Sequence, residues 1–218
     1  MAANNHHGEH DHRLRRLLAP RHLFSIVGHL WSSEVNIDAV ELLHPQPGER
    51  ILDLGSGLGP ATVETAKHLG SHGRVIAIDP SAFMRTVLRV RRLWQKNRKA
   101  VVVRAGTGEN LPLDDNSIDG VLSLNVMHHL DNLTETAAEL ARVIRPGGRL
   151  LLLDEDFGHQ DHSFQSETNH DEPGPDLVEP GLMTDALTTA GFVDVDERPT
   201  EVGGQPCFLV TARKPEPA

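Results

Sequence analysis

Glycine and acidic residues crowd one short stretch of this chain in an order suited to holding a cofactor. The run Ile51-Leu-Asp-Leu-Gly-Ser-Gly-Leu-Gly59 reads as a buried strand, a glycine turn and the start of a helix. Without a Cβ, Gly55, Gly57 and Gly59 let a ligand approach the main chain closely. The first N–H groups of the following helix lack partners within it and turn a partial positive charge toward the loop. Such a turn holds a nucleotide-like cofactor. Asp53 narrows the choice, because a carboxylate there repels a pyrophosphate and suits an ammonium group. Asp79 closes the apolar run Val75-Ile-Ala-Ile at the distance from the turn where nucleotide folds place a ribose-binding acid. Its carboxylate can accept from two adjacent hydroxyls. The competing role is a turn acid ahead of Ser81.

Other residues could act on protons or metals. Ser123-Leu-Asn-Val-Met-His-His-Leu130 holds Asn125 and the adjacent His128 and His129. A histidine can take a proton from an O–H or N–H acceptor near neutral pH, or simply pack and bond a backbone group. Asp154, Glu155 and Asp156 precede His159, His162 and His170, which suggests either a divalent metal site or an acidic loop. Neighbouring side chains on an extended chain point to opposite sides, which favours no metal. His6, His7, His10 and His12 fall in a polar stretch, residues 1–12, read as a solvated, disordered tail rather than a metal site. Cys207, the single cysteine, sits in the run Cys-Phe-Leu-Val and reads as core.

The elements that must position these groups follow from periodicity. Strands are expected at about Arg50–Leu54, Arg74–Ile78, Ala100–Arg104, Ile118–Leu124, Arg149–Leu153, Phe192–Asp196 and Phe208–Thr211. Helices are expected at Ala61–Leu69, Ser81–Lys96, Asn132–Ile144 and Gly181–Ala190, with Pro146-Gly147-Gly148 turning the chain into the fifth strand. This alternation predicts an α/β, Rossmann-like, doubly wound and mostly parallel seven-stranded sheet with helices on both faces. Residues 13–46 read as a helical lid, in which Leu23, Ile26, Val27 and Leu30 keep helical spacing. Residues 155–180 lack periodicity, hold Pro173, Pro175 and Pro180, and read as a cover loop leaving the fifth strand. Arg85, Arg89, Arg92 and Lys96 share one helix face and read as a solvated stripe.

The 218 residues suffice for one α/β domain, and the net charge of −10 argues against general nucleic-acid binding. No apolar stretch has the length of a bilayer span, and the polar N-terminus does not read as a signal peptide, so a cytoplasmic protein is expected.

The glycine run resembles motif I of the class I S-adenosylmethionine (SAM) methyltransferases. Asp-Pro-Ser-Ala-Phe-Met, residues 79–84, resembles the family's region after the ribose acid, which implies a place for Pro80 and Met84 beside the adenosine. Gly106-Thr-Gly-Glu-Asn-Leu-Pro-Leu resembles a third motif, where the family often reads Gly-Asp-Ala. Thr107 stands at the adenine-binding acid's position, beside Gly108, and Glu109 offers a carboxylate nearby. Ser123–Leu130 resembles motif IV of the small-molecule branch. By that resemblance Asn125 holds the methionine part of the cofactor, and His128 and His129 lie near the transferred methyl group. Glu139-Leu-Ala-Arg-Val-Ile-Arg-Pro-Gly-Gly-Arg-Leu resembles the last helix and turn before the fifth strand. These matches cover about residues 48–156 in order, and the broad group includes the ubiquinone and menaquinone methyltransferases.

The resemblance implies a SAM-binding domain over residues 47–215 that moves a methyl group to a small-molecule acceptor. Two other readings stand beside it. One is a catalytically inactive SAM-binding partner or sensor. The other, a nicotinamide-dependent oxidoreductase, conflicts with Asp53 and with Pro60, which replaces the third glycine of the dinucleotide fingerprint.

Overall fold

The computed structural model describes residues 34–157 and 178–217. The expected tail (1–12), most of the expected lid (13–33) and most of the expected cover loop (158–177) lie outside the described residues.

The chain alternates helix α1 (Glu34–Leu43), β1 (Arg50–Leu54), α2 (Pro60–His68), β2 (Arg74–Ile78), α3 (Ala82–Arg91), β3 (Val101–Arg104) and β4 (Ile118–Leu124). It continues with α4 (Leu133–Val143), β5 (Ile144–Glu155), α5 (Leu182–Thr189), β6 (Val193–Val202) and β7 (Gln205–Arg213). The strands form one seven-stranded sheet in the order β3-β2-β1-β4-β5-β7-β6. The first five are parallel, while β7 runs antiparallel to both β5 and β6. The order reverses direction between β1 and β4, which opens a crevice at their carboxyl ends.

Strand alternation sends side chains to two cores. Leu52, Leu54, Leu150 and Leu152 pack with Ala137, Leu140 and Val143 of α4 and Met183 and Leu187 of α5. Ile51, Leu151 and Leu153 pack on the other face with Val35, Ala39 and Val40 of α1 and Ala61 and Ala66 of α2. The same period puts Asp53 on the α2 side of the sheet. The part of the expected lid that is described is therefore docked: α1 is a layer of the core, and among its residues Asn36 lines the cavity described below.

Several boundaries differ from the sequence reading. Helix α3 stops at Arg91 and tightens into a 3-10 turn over Arg92–Trp94. Strand β5 begins at Ile144, so Pro146-Gly147-Gly148 forms an irregular stretch within it rather than a turn ahead of it. Strands β6 and β7 are longer than expected and meet at a hairpin around Gly203-Gly204. The basic stripe is more than a solvated face. Arg85 donates to the carbonyls of Asp79 and Pro80, while Arg89 and Arg92 donate to those of Val103 and Val101 on edge strand β3.

Candidate functional site

The β1–α2 turn is built from three glycines with separate tasks. The Gly55 N–H donates to the Ile78 carbonyl at 2.8 Å, and a Cβ at Gly55 would stand 2.2 Å from Val126. Gly57 has φ +49, and its N–H donates to Asp79 Oδ2 at 2.8 Å. Gly59 has φ +81 and caps α2, with Pro60 at the first helical position. A Cβ on Gly59 would meet Leu88 of α3 at 2.1 Å, so this glycine closes the packing of two helices rather than facing a ligand.

A cavity of about 580 Å³ opens above this turn, at the carboxyl ends of β1, β2 and β4. Asp53, Gly55, Gly57, Asp79, Pro80, Met84, Thr107, Gly108, Asn125 and His129 line it, as do Asn36, Ser56, Glu109, Asp131 and Glu155. Gly59 and His128 are not among the lining residues. The wall thus holds five carboxylates, and among the described residues no Lys or Arg lines it.

Asp79 follows β2, where the strand ends and α3 begins. Its Oδ1 accepts from Ser81 N–H and its Oδ2 from Gly57 N–H, both at 2.8 Å. Each oxygen keeps a second acceptor site, enough for two neighbouring hydroxyls. The turn-acid and ribose roles, alternatives in the sequence, are thus compatible in one side chain. Asp53 is buried and accepts from the Thr62 hydroxyl. Burial pushes its carboxyl up to about 7, with the charge of Asp79 adding to the rise and the Thr62 hydrogen bond opposing it. The Ser56 hydroxyl in the same wall is buried and has no hydrogen-bond partner among the described residues, a costly state that a ligand would relieve.

The adenine end of the expected cofactor site differs from the family pattern in a way the structure makes concrete. Thr107 pairs with Asn110 through the backbone, and its hydroxyl donates to Glu109. Glu109 also accepts from the Asn132 N–H at 3.3 Å and the Thr136 hydroxyl at 3.4 Å. Burial raises its pKa, but its own backbone N–H, the Thr107 hydroxyl and the N–H groups of Asn132 and Asp131 outweigh that and hold it below the ordinary value. A fixed, ionised carboxylate therefore lies two residues beyond the position where the family often carries one.

At the other end, Asn125 adopts φ +57, a left-handed conformation that Asn tolerates better than most residues. Its amide forms a two-way clasp: Nδ2 donates to Glu155 Oε1 and Oδ1 accepts from Glu155 N–H, both at 2.7 Å. The alternation of β5 then sends Asp154 to the opposite face of the sheet. There Asp154 accepts from the N–H groups of Val126, Met127 and His128, and its Oδ2 lies 2.9 Å from His128 Nδ1. His128 and His129 stack obliquely, ring centres 4.0 Å apart, but only His129 reaches the cavity. Burial and the neighbouring His128 lower the His129 pKa, with Asp154 opposing, so the ring is neutral at pH 7. Cys207 is buried, and desolvation, followed by the nearby charge of Glu155, pushes its thiol up to about 12, which keeps it inert.

Residues 52–152 match the family model described as a methyltransferase domain. They are a class I SAM-dependent methyltransferase domain. An uncharacterized methyltransferase of Mycobacterium tuberculosis is 40% identical over 116 residues, which is 53% of this chain and 44% of that protein. A demethylmenaquinone methyltransferase of Symbiobacterium thermophilum is 33% identical over 111 residues, 51% of this chain and 44% of that protein. The chain thus matches less than half the length of these curated relatives. A SAM-dependent methyltransferase from Aquifex aeolicus has the same architecture, with TM-score 0.65 and 25% identity over 92% of this chain and 96% of that one. Among the described residues, no helix of the methyltransferase domain or its flanks is long and apolar enough to cross a membrane.

Asn36, Asp131 and Glu155 are among the lining residues that the sequence does not single out for the site, as are Ser56 and Ser81. Asn36 comes from outside the motif region. Asp131 follows the histidine pair. Glu155 was visible only as one member of an acid run, and its role depends on the left-handed turn at Asn125. Strand parity alone would have separated it from Asp154.

Proposed function

We propose that the chain transfers a methyl group from SAM to a small-molecule acceptor. The observation that carries this reading is the charge of the cavity wall: five carboxylates and, among the described residues, no Lys or Arg around a glycine turn. A dinucleotide's pyrophosphate would meet repulsion there, whereas SAM brings a sulfonium and an ammonium group. When bound, SAM supplies a methyl group already made electrophilic by its sulfur. The residues must then bind, orient and exclude water. In this reading Asp79 takes the ribose hydroxyls, Glu109 takes the adenine amino group, and ionised Asp53 faces the ammonium group. Asn125, fixed by Glu155, holds the methionine portion.

His129 is the residue best placed to act on the acceptor. Neutral and in the wall, it can take the proton that an O–H or N–H acceptor loses as it becomes methylated. His128 acts through position: its bond to Asp154 fixes the turn on which His129 stands. The quinone named for one relative supports a small organic acceptor.

Calorimetric titration with SAM and its demethylated product tests the proposal. Micromolar binding of both, lost in Asp79→Ala, is the expected result, and an acceptor screen by methyl transfer then follows. A folded protein that binds neither would overturn it. Binding without turnover on any acceptor would favour the partner or sensor reading.

A further inference from the structure

Between Pro80 and Gly108 the chain carries eight basic residues and no acid, although its net charge is −10. This stretch contains α3, the 3-10 turn and β3. It also carries four of the eight large exposed apolar side chains among the described residues: Phe83 is 69% exposed, Val90 45%, Leu93 59% and Trp94 76%. Phe83 and Val90 lie seven residues apart, two helical turns, and so share a face. Arg89, Lys96, Arg98 and Lys99 are exposed around them. Phe83 is flanked by Ala82 and by Met84, which lines the cavity, so the apolar strip starts at the cavity wall.

We propose that this face of α3 and its 3-10 turn docks on an anionic lipid surface. A helix with aromatic and aliphatic residues on one side and cations beside them rests at the boundary of headgroups and acyl chains. The cations draw it to negatively charged lipid, at about 1 kcal/mol or fivefold for each residue near the surface. The strongly acidic remainder of the chain is repelled, so the molecule lands in one orientation with the cavity edge toward the lipid. Nucleic acid fits less well. Arg85, Arg89, Arg92 and Arg104 spend guanidinium N–H groups on backbone carbonyls, which leaves fewer forks for phosphates. Val90 and Leu93 have no counterpart in the recognition of bases, whereas acyl chains accept them.

Vesicle sedimentation of the full chain, with and without phosphatidylglycerol in phosphatidylcholine, tests this independently of any methyl transfer. The protein is expected to sediment with the anionic vesicles and to be released by salt. In a Trp31→Phe background, Trp94 emission is expected to shift to the blue on binding. Lys96→Gln, Arg98→Gln and Lys99→Gln together should weaken binding by about a hundredfold, and Phe83→Ala with Trp94→Ala should remove it, at unchanged melting temperature. Failure to bind anionic vesicles, binding with no change in Trp94 emission, or full retention by these variants overturns the proposal. Displacement by a DNA duplex at equal charge, or a dimer lost in Phe83→Ala with Trp94→Ala, overturns it in favour of nucleic acid or of a second copy.

Discussion

Asp53 couples stability, pH and binding in one carboxyl group. Its ordinary pKa is 3.8 and its folded value about 7. Between those values the folded chain keeps a proton that the unfolded chain has lost. Stability therefore falls as pH rises through this window, by about 1.4 kcal/mol per unit, and reaches its floor above it. Asp53→Asn is accordingly expected to melt higher than the parent at about pH 8 and close to it at about pH 5, checked by thermal unfolding at both. The gain at high pH should come with loss of SAM affinity. In the parent, binding of an ammonium group favours the ionised carboxyl, so affinity should rise with pH up to about 7 and then level off, with proton release seen by calorimetry in two buffers. His129 makes a separate prediction. If it takes the acceptor's proton, His129→Ala should lower kcat by roughly 10²–10⁴ with SAM affinity unchanged, and the acid limb of the parent's profile should lie below the ordinary histidine pKa. A loss under tenfold would leave it a wall residue.

The glycine turn is one element with unequal parts. Gly59→Ala forces a Cβ against fully buried Leu88 and strains a positive φ. It should cost about 3 kcal/mol, measured by denaturant unfolding. Gly57→Ala meets nothing closer than 3.9 Å, so its cost should be about 1–2 kcal/mol, and its main effect should be on the cofactor. The turn was legible because its residues are contiguous and each glycine carries its own signal. The loop before β4 was legible for another reason. Glu139 and Arg142 sit one helical turn apart on α4: Glu139 accepts from the Leu111 N–H and Arg142 donates to the carbonyls of Leu111 and Leu113. One motif thus holds the other. The Asn125–Glu155 clasp was not legible, because it joins two strand ends through a left-handed residue that no local pattern announces. The β6–β7 hairpin carried a partial signal: Gly203-Gly204 precedes the apolar run Cys207–Val210, but β6 before it is mostly polar, so no apolar pattern announces its length. Pro199 within β6 argues against a central strand, and it is allowed there because β6 is at the sheet's edge.

At the scale of the whole molecule, the carboxylates of the cavity wall repel one another until a cationic ligand arrives. Saturation with SAM at about a hundred times its dissociation constant should add about 2.7 kcal/mol, a rise in Tm of roughly 5–10 °C. NAD at the same concentration should leave Tm in place, and an equal rise with NAD would return the nicotinamide reading. The finished sheet has two outer strands, and neither invites another chain. On β3 the outward carbonyls of Val101 and Val103 are already taken by Arg92 and Arg89. On β6, Pro199 lacks a donor and Asp194, Asp196 and Glu201 bristle along the strand. Growth by strand addition, the route to fibrils, is closed at both margins, so a concentrated solution of this protein should stay clear where an unguarded sheet would gel.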